Sequence, residues 1–250
     1  VEKICQRTPY TKPDAVGATL DAAAEAGYLE KKGEGEYLVS TKGADAIDAV
    51  HTTFYKKVNQ VNEFPAEKMQ TLEALLRKLV ESASSADLKT GSFGFKSSYG
   101  GHPQVEAGTL AQVDQLIDDL FAFRDDSHIE AWEPIGVIGQ VWETLTFVWN
   151  GNANTAEKLA EILAVRNYSE EEYQAALDEL EMKGWVEKGD EGYTVTPEGK
   201  KVRDDAENAT NKIYFKAWKT LSDAELEQLG ELLAKLKEIN LGLVEDNQAE

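Results

Sequence analysis

Two segments about 157 residues apart repeat the same order of residues, and this internal repeat limits the fold more than any other feature of the sequence. The first contains Gly-Tyr-Leu-Glu-Lys at residues 27–31, and the second contains Gly-Trp-Val-Glu-Lys at residues 184–188. Each continues through a glycine-containing turn into further β-forming residues, at 37–40 and at 193–196. Glycine supplies the positive φ that tight hairpin turns require. Each segment therefore predicts two short antiparallel strands.

A helix is predicted after each hairpin, because Ser40 and Thr196 are natural N-caps and Pro197 suits the first helical position. Farther along, each segment carries one apolar stripe. Residues three and four apart share one face of a helix, so each stripe needs a partner surface, and we interpret both as core or dimer-type packing. The stripes are Met69, Leu72, Leu75, Leu76 and Leu79, and Leu226, Leu229, Leu232, Leu233 and Leu236.

The second segment begins with two further helices. Thr155 is expected to cap the first of them, and Ser169 with Glu172 forms a capping box at the start of the second. Helix, turn, helix and hairpin is the order of a winged helix-turn-helix. Apolar faces predict a scaffold helix over 136–149 and another amphipathic helix over 110–123. The first segment shows only the tail of this arrangement, and its scaffold helix is absent from the sequence.

The length of 250 residues suits one large domain or two ordinary ones. Residues 84–108 are rich in glycine and serine and predict a linker. We therefore expect a first, partial winged-helix unit over 1–83 and a second unit with dimerisation-type helices over 109–250. The predicted fold class is mainly α with short β-hairpin wings, arranged as tandem winged helix-turn-helix units with a helical dimerisation-type layer.

This order of elements resembles the MarR-type winged helix-turn-helix transcription regulators. The resemblance rests on Tyr-Thr-Val-Thr-Pro-Glu-Gly at residues 193–199 and on Leu-Ser-Asp-Ala-Glu-Leu at 221–226, before a leucine helix that looks like the family's dimerisation helix. It covers about 110–243 in the second segment and about 2–81 in the first. It implies paired winged helices on double-stranded DNA, a helical dimerisation layer and often a small-molecule pocket. A tandem would supply an intramolecular pseudo-dimer, and further homodimerisation stays open.

The predicted reading helix is acidic, which opposes DNA binding. Residues 169–183 hold six acidic residues and one basic residue, whereas a major-groove helix normally presents Arg, Lys, Asn or Gln. The net charge of −20 also repels phosphate and anionic lipid at long range. If the resemblance carries over, DNA contacts are expected from the reading helices and the hairpins, at Lys12, Lys31, Lys32, Tyr168, Ser169, Tyr173, Gln174 and Lys188.

Enzyme chemistry finds no support in the motifs. The three histidines lack metal-ligand spacing and Cys5 is the single cysteine, so we expect no metal, no cofactor and no internal disulfide. Residues 125–128, Asp-Asp-Ser-His, contain the residue types of a hydrolase, but neighbours in sequence do not give the convergent geometry of nucleophilic catalysis. Turn and capping roles explain them better, and the sequence predicts that the protein is not an enzyme.

Aromatic residues concentrate around the centre of the chain and the long helix after the second hairpin. Because Trp and Tyr combine an apolar body with a polar tip, we predict a pocket for a small aromatic or apolar effector, lined by His128, Trp132, Tyr214 and Trp218.

The compartment follows from a few absences. The single cysteine, the missing signal peptide and the lack of an apolar stretch near ~18 residues predict a cytoplasmic protein without membrane contact. The chain begins at Val1 without Met, which leaves open whether residues precede it.

Two functional hypotheses follow. The first is a MarR-like regulator that binds DNA and responds to an effector. The second is a winged-helix protein that has lost DNA contact and serves as a protein-interaction or small-molecule-sensing module, which explains the acidic helices directly.

Overall fold

The computed structural model describes residues 1–60 and 64–248, with side chains described through residue 239. Contacts divide the chain into two compact units. The hairpin unit joins Val1–Ala44 to Ser127–Asn211, and the helical unit joins residues 45–126 to the chain from Lys212 onward. The predicted boundaries at 83 and 109 follow chain order instead, and they stay a prediction about the domain organisation.

The described residues are mainly helical and form two short hairpins, as predicted. The first part of the chain runs α1 Glu2–Arg7, α2 Pro13–Glu25, β1 Leu29–Gly33, β2 Glu36–Val39 and α3 Thr41–Val58. Three helices follow, α4 Ala66–Ser84, α5 Phe93–Gly101 and α6 Leu110–Trp132. The last part runs α7 Gly139–Trp149, α8 Ala156–Ile162, α9 Glu170–Met182, β3 Val186–Gly189, β4 Gly192–Val195, α10 Pro197–Ala217 and α11 Asp223–Gln248.

Helices α7 to α10 with the β3–β4 hairpin form a winged helix-turn-helix inside the hairpin unit. Strands β3 and β4 pair antiparallel, with Val186 opposite Val195. The predicted caps of α8 and α9 are confirmed. The Thr155 hydroxyl accepts from the Lys158 N–H, and Ser169 and Glu172 make both bonds of a capping box. The core of this winged helix contains Trp142, Leu159, Tyr173, Leu177 and Leu180, all fully buried.

Each hairpin makes the same set of local hydrogen bonds within its own segment. The Ser40 Oγ donates to the Gly27 carbonyl over 2.7 Å, and the Thr196 Oγ1 donates to the Gly184 carbonyl over 2.6 Å. Both hydroxyls also cap the next helix, by accepting a backbone N–H three residues later over 3.0 Å. A tyrosine of each hairpin contacts an aspartate of the preceding helix, Tyr37 to Asp21 and Tyr193 to Asp178.

The helices that precede the two hairpins differ in burial. Helix α9 buries four residues, Tyr173, Ala176, Leu177 and Leu180, while α2 buries only Val16. Helix α7 packs along α9 and β4, and this contact explains the deeper burial. The winged helix of the second segment therefore has the better-formed core.

The helical unit is built on the two predicted leucine stripes. The stripe of α4 is buried in one cluster with Leu229, Leu232 and Leu236 of α11, while Leu226 and Leu233 are partly buried against it. Helix α6 adds Val113, Leu116, Leu120 and Phe123. The predicted core role of both stripes is confirmed.

Residues 84–108, predicted as a linker, contain helix α5. Phe95 is buried in the core of the helical unit. The Asp126 carboxylate accepts the N–H groups of Gly94 and Phe95 over 2.9 and 2.8 Å, which fixes the start of the helix. At its other end, His102 lies 2.9 Å from the buried Asp119, and this hydrogen bond raises the pKa of the His102 imidazole. A glycine-rich composition alone did not reveal these tertiary contacts.

Candidate nucleic-acid interface

Helix α9 and the β3–β4 hairpin occupy the positions of a reading helix and a wing. The Ser169 capping box starts α9, and Glu170, Glu171 and Glu172 fill its first turn. A hydrogen bond from Ser169 lowers the pKa of the Glu171 carboxyl, and one from Lys12 lowers that of Glu172. Carboxylates suit the positive end of a helix dipole, so they stabilise α9 while they give its first turn negative charge.

The predicted polar contacts of α9 have different surroundings. Ser169 is exposed, and its hydroxyl accepts the Glu172 N–H within the capping box. The Gln174 amide donates to Asp178 over 2.7 Å and to the Tyr193 hydroxyl over 2.9 Å. Tyr168 is half-buried and packs edge-on against Tyr173.

The assignment of Tyr173 to DNA contact was wrong. Its side chain is 0% exposed in the core of the winged helix, so it cannot reach a nucleic acid. The sequence carried a signal for this, because Tyr173 lies three, four and seven residues before Ala176, Leu177 and Leu180 on one helix face.

The predicted lysines lie at the hairpins and at the start of α2, and three of them pair with carboxylates. Lys12 contacts Glu172 over 2.6 Å, Lys31 contacts Asp21 over 2.6 Å, and Lys32 contacts Glu30 over 2.5 Å. Lys188 lies over the Tyr193 ring, 5.7 Å from its centroid. Exposed ion pairs contribute little free energy, so Lys31 and Lys32, like Lys188, stay able to contact a phosphate.

Residues 8–12 lie against the start of α9 and the turn before it. The Lys12 N–H donates to the Arg166 carbonyl over 3.0 Å, and the Arg166 Nη1 donates to the Thr11 hydroxyl over 3.3 Å. The Trp132 indole N–H donates to the Tyr10 hydroxyl over 3.1 Å. The sequence did not predict these contacts, because they join residues more than 120 positions apart.

Arg166 orients the turn between α8 and α9. Its guanidinium donates to the Glu143 carboxylate of α7 over 2.8 and 3.1 Å. Burial raises the pKa of the Glu143 carboxyl, and Arg166 opposes that rise. The guanidinium also lies over the Tyr10 ring, 5.5 Å from its centroid. Neither Arg166 nor Glu143 was singled out in the sequence, since no local motif contains both.

The four predicted effector residues fall into different compact units. In the hairpin unit, His128 contacts Thr210 over 3.0 Å and accepts the Trp142 indole N–H over 3.2 Å, while Trp132 is 3% exposed and stacks on Trp142. In the helical unit, Tyr214 packs against Trp218. Trp218 lines a surface groove of about 570 Å³ with Phe215, Lys219, Leu221, Asp223 and Leu226.

The described residues contain neither a metal-binding cluster nor a membrane-spanning helix. Over the described ranges, no three or more His, Cys, Asp or Glu side chains come together in a group able to hold a metal ion. The helices of residues 1–60 and 64–248 include none with the length and apolarity to cross a membrane.

The chain was compared with family models, curated proteins and solved structures. No curated protein matches the chain. The crystal structure of the oxidised form of MarR from E. coli is similar over 49% of this chain and 92% of that chain, at 22% sequence identity and a TM-score of 0.34. The model of a helix-turn-helix family matches residues 103–242, more than half of the 250 residues, and includes α7 to α10 with their hairpin. The chain therefore belongs to this helix-turn-helix family.

Proposed function

We propose that the protein is a winged-helix transcription regulator that binds double-stranded DNA through α9 and the two hairpins. The observation that carries this proposal is the complete order of α7, α8, α9, β3, β4 and α10 within the part that the family model matches. In helix-turn-helix proteins the start of the second helix contacts base edges in the major groove. Lys188 on β3 and Lys31 and Lys32 on β1 are the proposed phosphate contacts.

The proposal includes a tandem that acts as an intramolecular pseudo-dimer. It is supported by equivalent hydrogen bonds in the two hairpins. Ser40 and Thr196 each donate to the glycine carbonyl before their hairpin, and Tyr37 and Tyr193 each contact the preceding helix. A tandem would place two wings on one chain, so removal of either should weaken binding to the same duplex.

The wing lysines provide the test. We expect Lys188→Ala, and separately the pair Lys31→Ala and Lys32→Ala, to weaken binding to pooled duplex fragments regardless of their sequence. Each lost phosphate contact should reduce the slope of log affinity against log salt by about 1, because fewer counterions are released. Fluorescence polarisation between low and moderate salt measures both the affinity and the slope.

Lys235→Ala is the matched control, because Lys235 is an exposed lysine of α11 that pairs with Glu238 and lies in the helical unit. It should leave the slope unchanged. DNA binding is ruled out if the wild-type protein shows no binding at low salt and if Lys12→Glu and Tyr10→Ala, which remove contacts to residues 8–12, show none either.

That result would favour the second candidate, a protein-interaction module. The observation behind this alternative is the acidic first turn of α9, where Glu170 and Glu171 are exposed and negatively charged. Such a surface repels phosphate and suits a basic protein partner.

We also propose that an aromatic or apolar effector binds the groove beside Trp218 rather than His128 and Trp132. Its volume of about 570 Å³ exceeds the roughly 300 Å³ at which small-molecule sites begin.

Anilinonaphthalene sulfonate, a probe that fluoresces on apolar surfaces, should bind the wild-type protein and bind Trp218→Ala several-fold more weakly. Phe121→Ala is the control, because Phe121 is an exposed apolar residue outside the groove. Equal probe binding by the wild-type and Trp218→Ala proteins would eliminate this site.

A further inference from the structure

Residues 8–12, here called the clamp segment, lie on the end of α9 that a helix-turn-helix protein would insert into DNA. We propose that the clamp segment is an autoinhibitory element that keeps the reading end of α9 closed until it is released. This inference rests on the proposed DNA-binding function and adds a means of regulation to it.

Three polar contacts join the clamp segment to the helix-turn-helix. The Lys12 ammonium bonds to Glu172 in the first turn of α9 over 2.6 Å, and its backbone N–H bonds to the Arg166 carbonyl. The Thr11 hydroxyl accepts from the Arg166 guanidinium over 3.3 Å. Lys12 also lies over the Tyr168 ring, 5.8 Å from its centroid. The clamp therefore contacts the turn before α9 as well as the first turn of the helix.

Tyr10 and the Pro9 backbone hold the other half of the segment. Tyr10 packs against Trp132, with ring centroids 6.0 Å apart, and accepts its indole N–H. The Pro9 carbonyl approaches Gly139 at the start of α7 so closely that a Cβ on this glycine would lie 2.2 Å from the carbonyl oxygen. Only glycine permits this approach, so α7 has a specific contact site for the segment.

The position of the segment conflicts with DNA docking. The first residues of a reading helix must approach base edges, and here Glu172 and Tyr168 already contact Lys12. The Lys12–Glu172 pair is about one third exposed on each side, so its contribution is small and screened by salt. A segment held by several weak contacts can cover the first turn of α9 and still be displaced from it.

Two variants open the clamp in different ways. Lys12→Glu places a carboxylate beside Glu172, and Tyr10→Ala removes the contact with Trp132 without any change in charge. Hydrogen–deuterium exchange should show faster exchange at residues 8–12 and 166–172 in both. If the fraction of molecules in which α9 can bind DNA rises from about one tenth to nearly one, the apparent DNA affinity should rise about tenfold. Lys3 is an exposed lysine of α1 outside the clamp segment. Lys3→Glu makes the same charge change there and should not tighten binding.

The sign of the Lys12→Glu effect is decisive. If Lys12 contacted DNA directly, or if only charge mattered, this substitution would weaken binding. Faster exchange with tighter binding in both variants supports the clamp. Wild-type binding that neither variant tightens overturns the clamp and leaves the proposed function intact. Faster exchange with no DNA binding by any of these proteins overturns both.

Discussion

Replacement of Gly199 by alanine is expected to lower the free energy of unfolding by about 3 kcal/mol, the upper range for overpacking of a filled core. A Cβ on Gly199 would lie 1.9 Å from the Trp185 carbonyl oxygen and 2.7 Å from its carbon. These are backbone atoms, and the same carbonyl accepts the Thr196 N–H over 3.0 Å, so it cannot rotate away without loss of that bond. The start of α10 would have to separate from the hairpin.

Gly230→Ala is the matched control for this prediction. Gly230 lies within α11 and is exposed, and a Cβ there would meet nothing within 4 Å. Alanine should therefore stabilise the helix by roughly 0.5–1 kcal/mol, because glycine loses more conformational entropy on folding. Urea denaturation followed by tryptophan fluorescence compares the two. A Gly199→Ala protein with the wild-type midpoint would contradict the close approach between α10 and the hairpin.

Truncation of Leu177 to alanine is expected to cost about 3 kcal/mol, within the range of roughly 2–5 kcal/mol for a buried leucine. Leu177 is fully buried on α9 among Trp142, Tyr173 and Leu180, so the lost methyl groups leave a cavity. The equivalent position on α2 is Leu20, which is only partly buried.

Leu20→Ala makes the same chemical change on α2, and its cost should be about 1 kcal/mol or less because water can reach the vacated space. The ratio of the two losses, measured by urea denaturation, reports the difference in core formation between the two segments. If both variants lost the same stability, the difference in burial between α2 and α9 would not hold in solution.

Local chemistry explains which parts of the fold were predictable. The hairpins and caps followed from residues a few positions apart, such as glycine in the turns and Ser169 with Glu172 at the start of α9. The leucine stripes of α4 and α11 also followed, since helical spacing alone places them on one face.

The interface was less predictable, because it depends on contacts between distant segments. Lys12 was predicted as a DNA contact, and nothing near it in sequence indicated that it would pair with Glu172. Arg166 and Glu143 were missed for the same reason. The error at Tyr173 was different, because helical spacing already placed this residue with the core.

The unequal burial of α2 and α9 has a consequence for how this chain tolerates sequence change. Four side chains of α9 are fixed in the core, whereas α2 buries only Val16 and therefore has fewer positions at which packing restricts substitution. New surface chemistry can therefore accumulate on α2 while α9 preserves the folded state. The first segment is the part of the molecule best suited to acquire a new specificity.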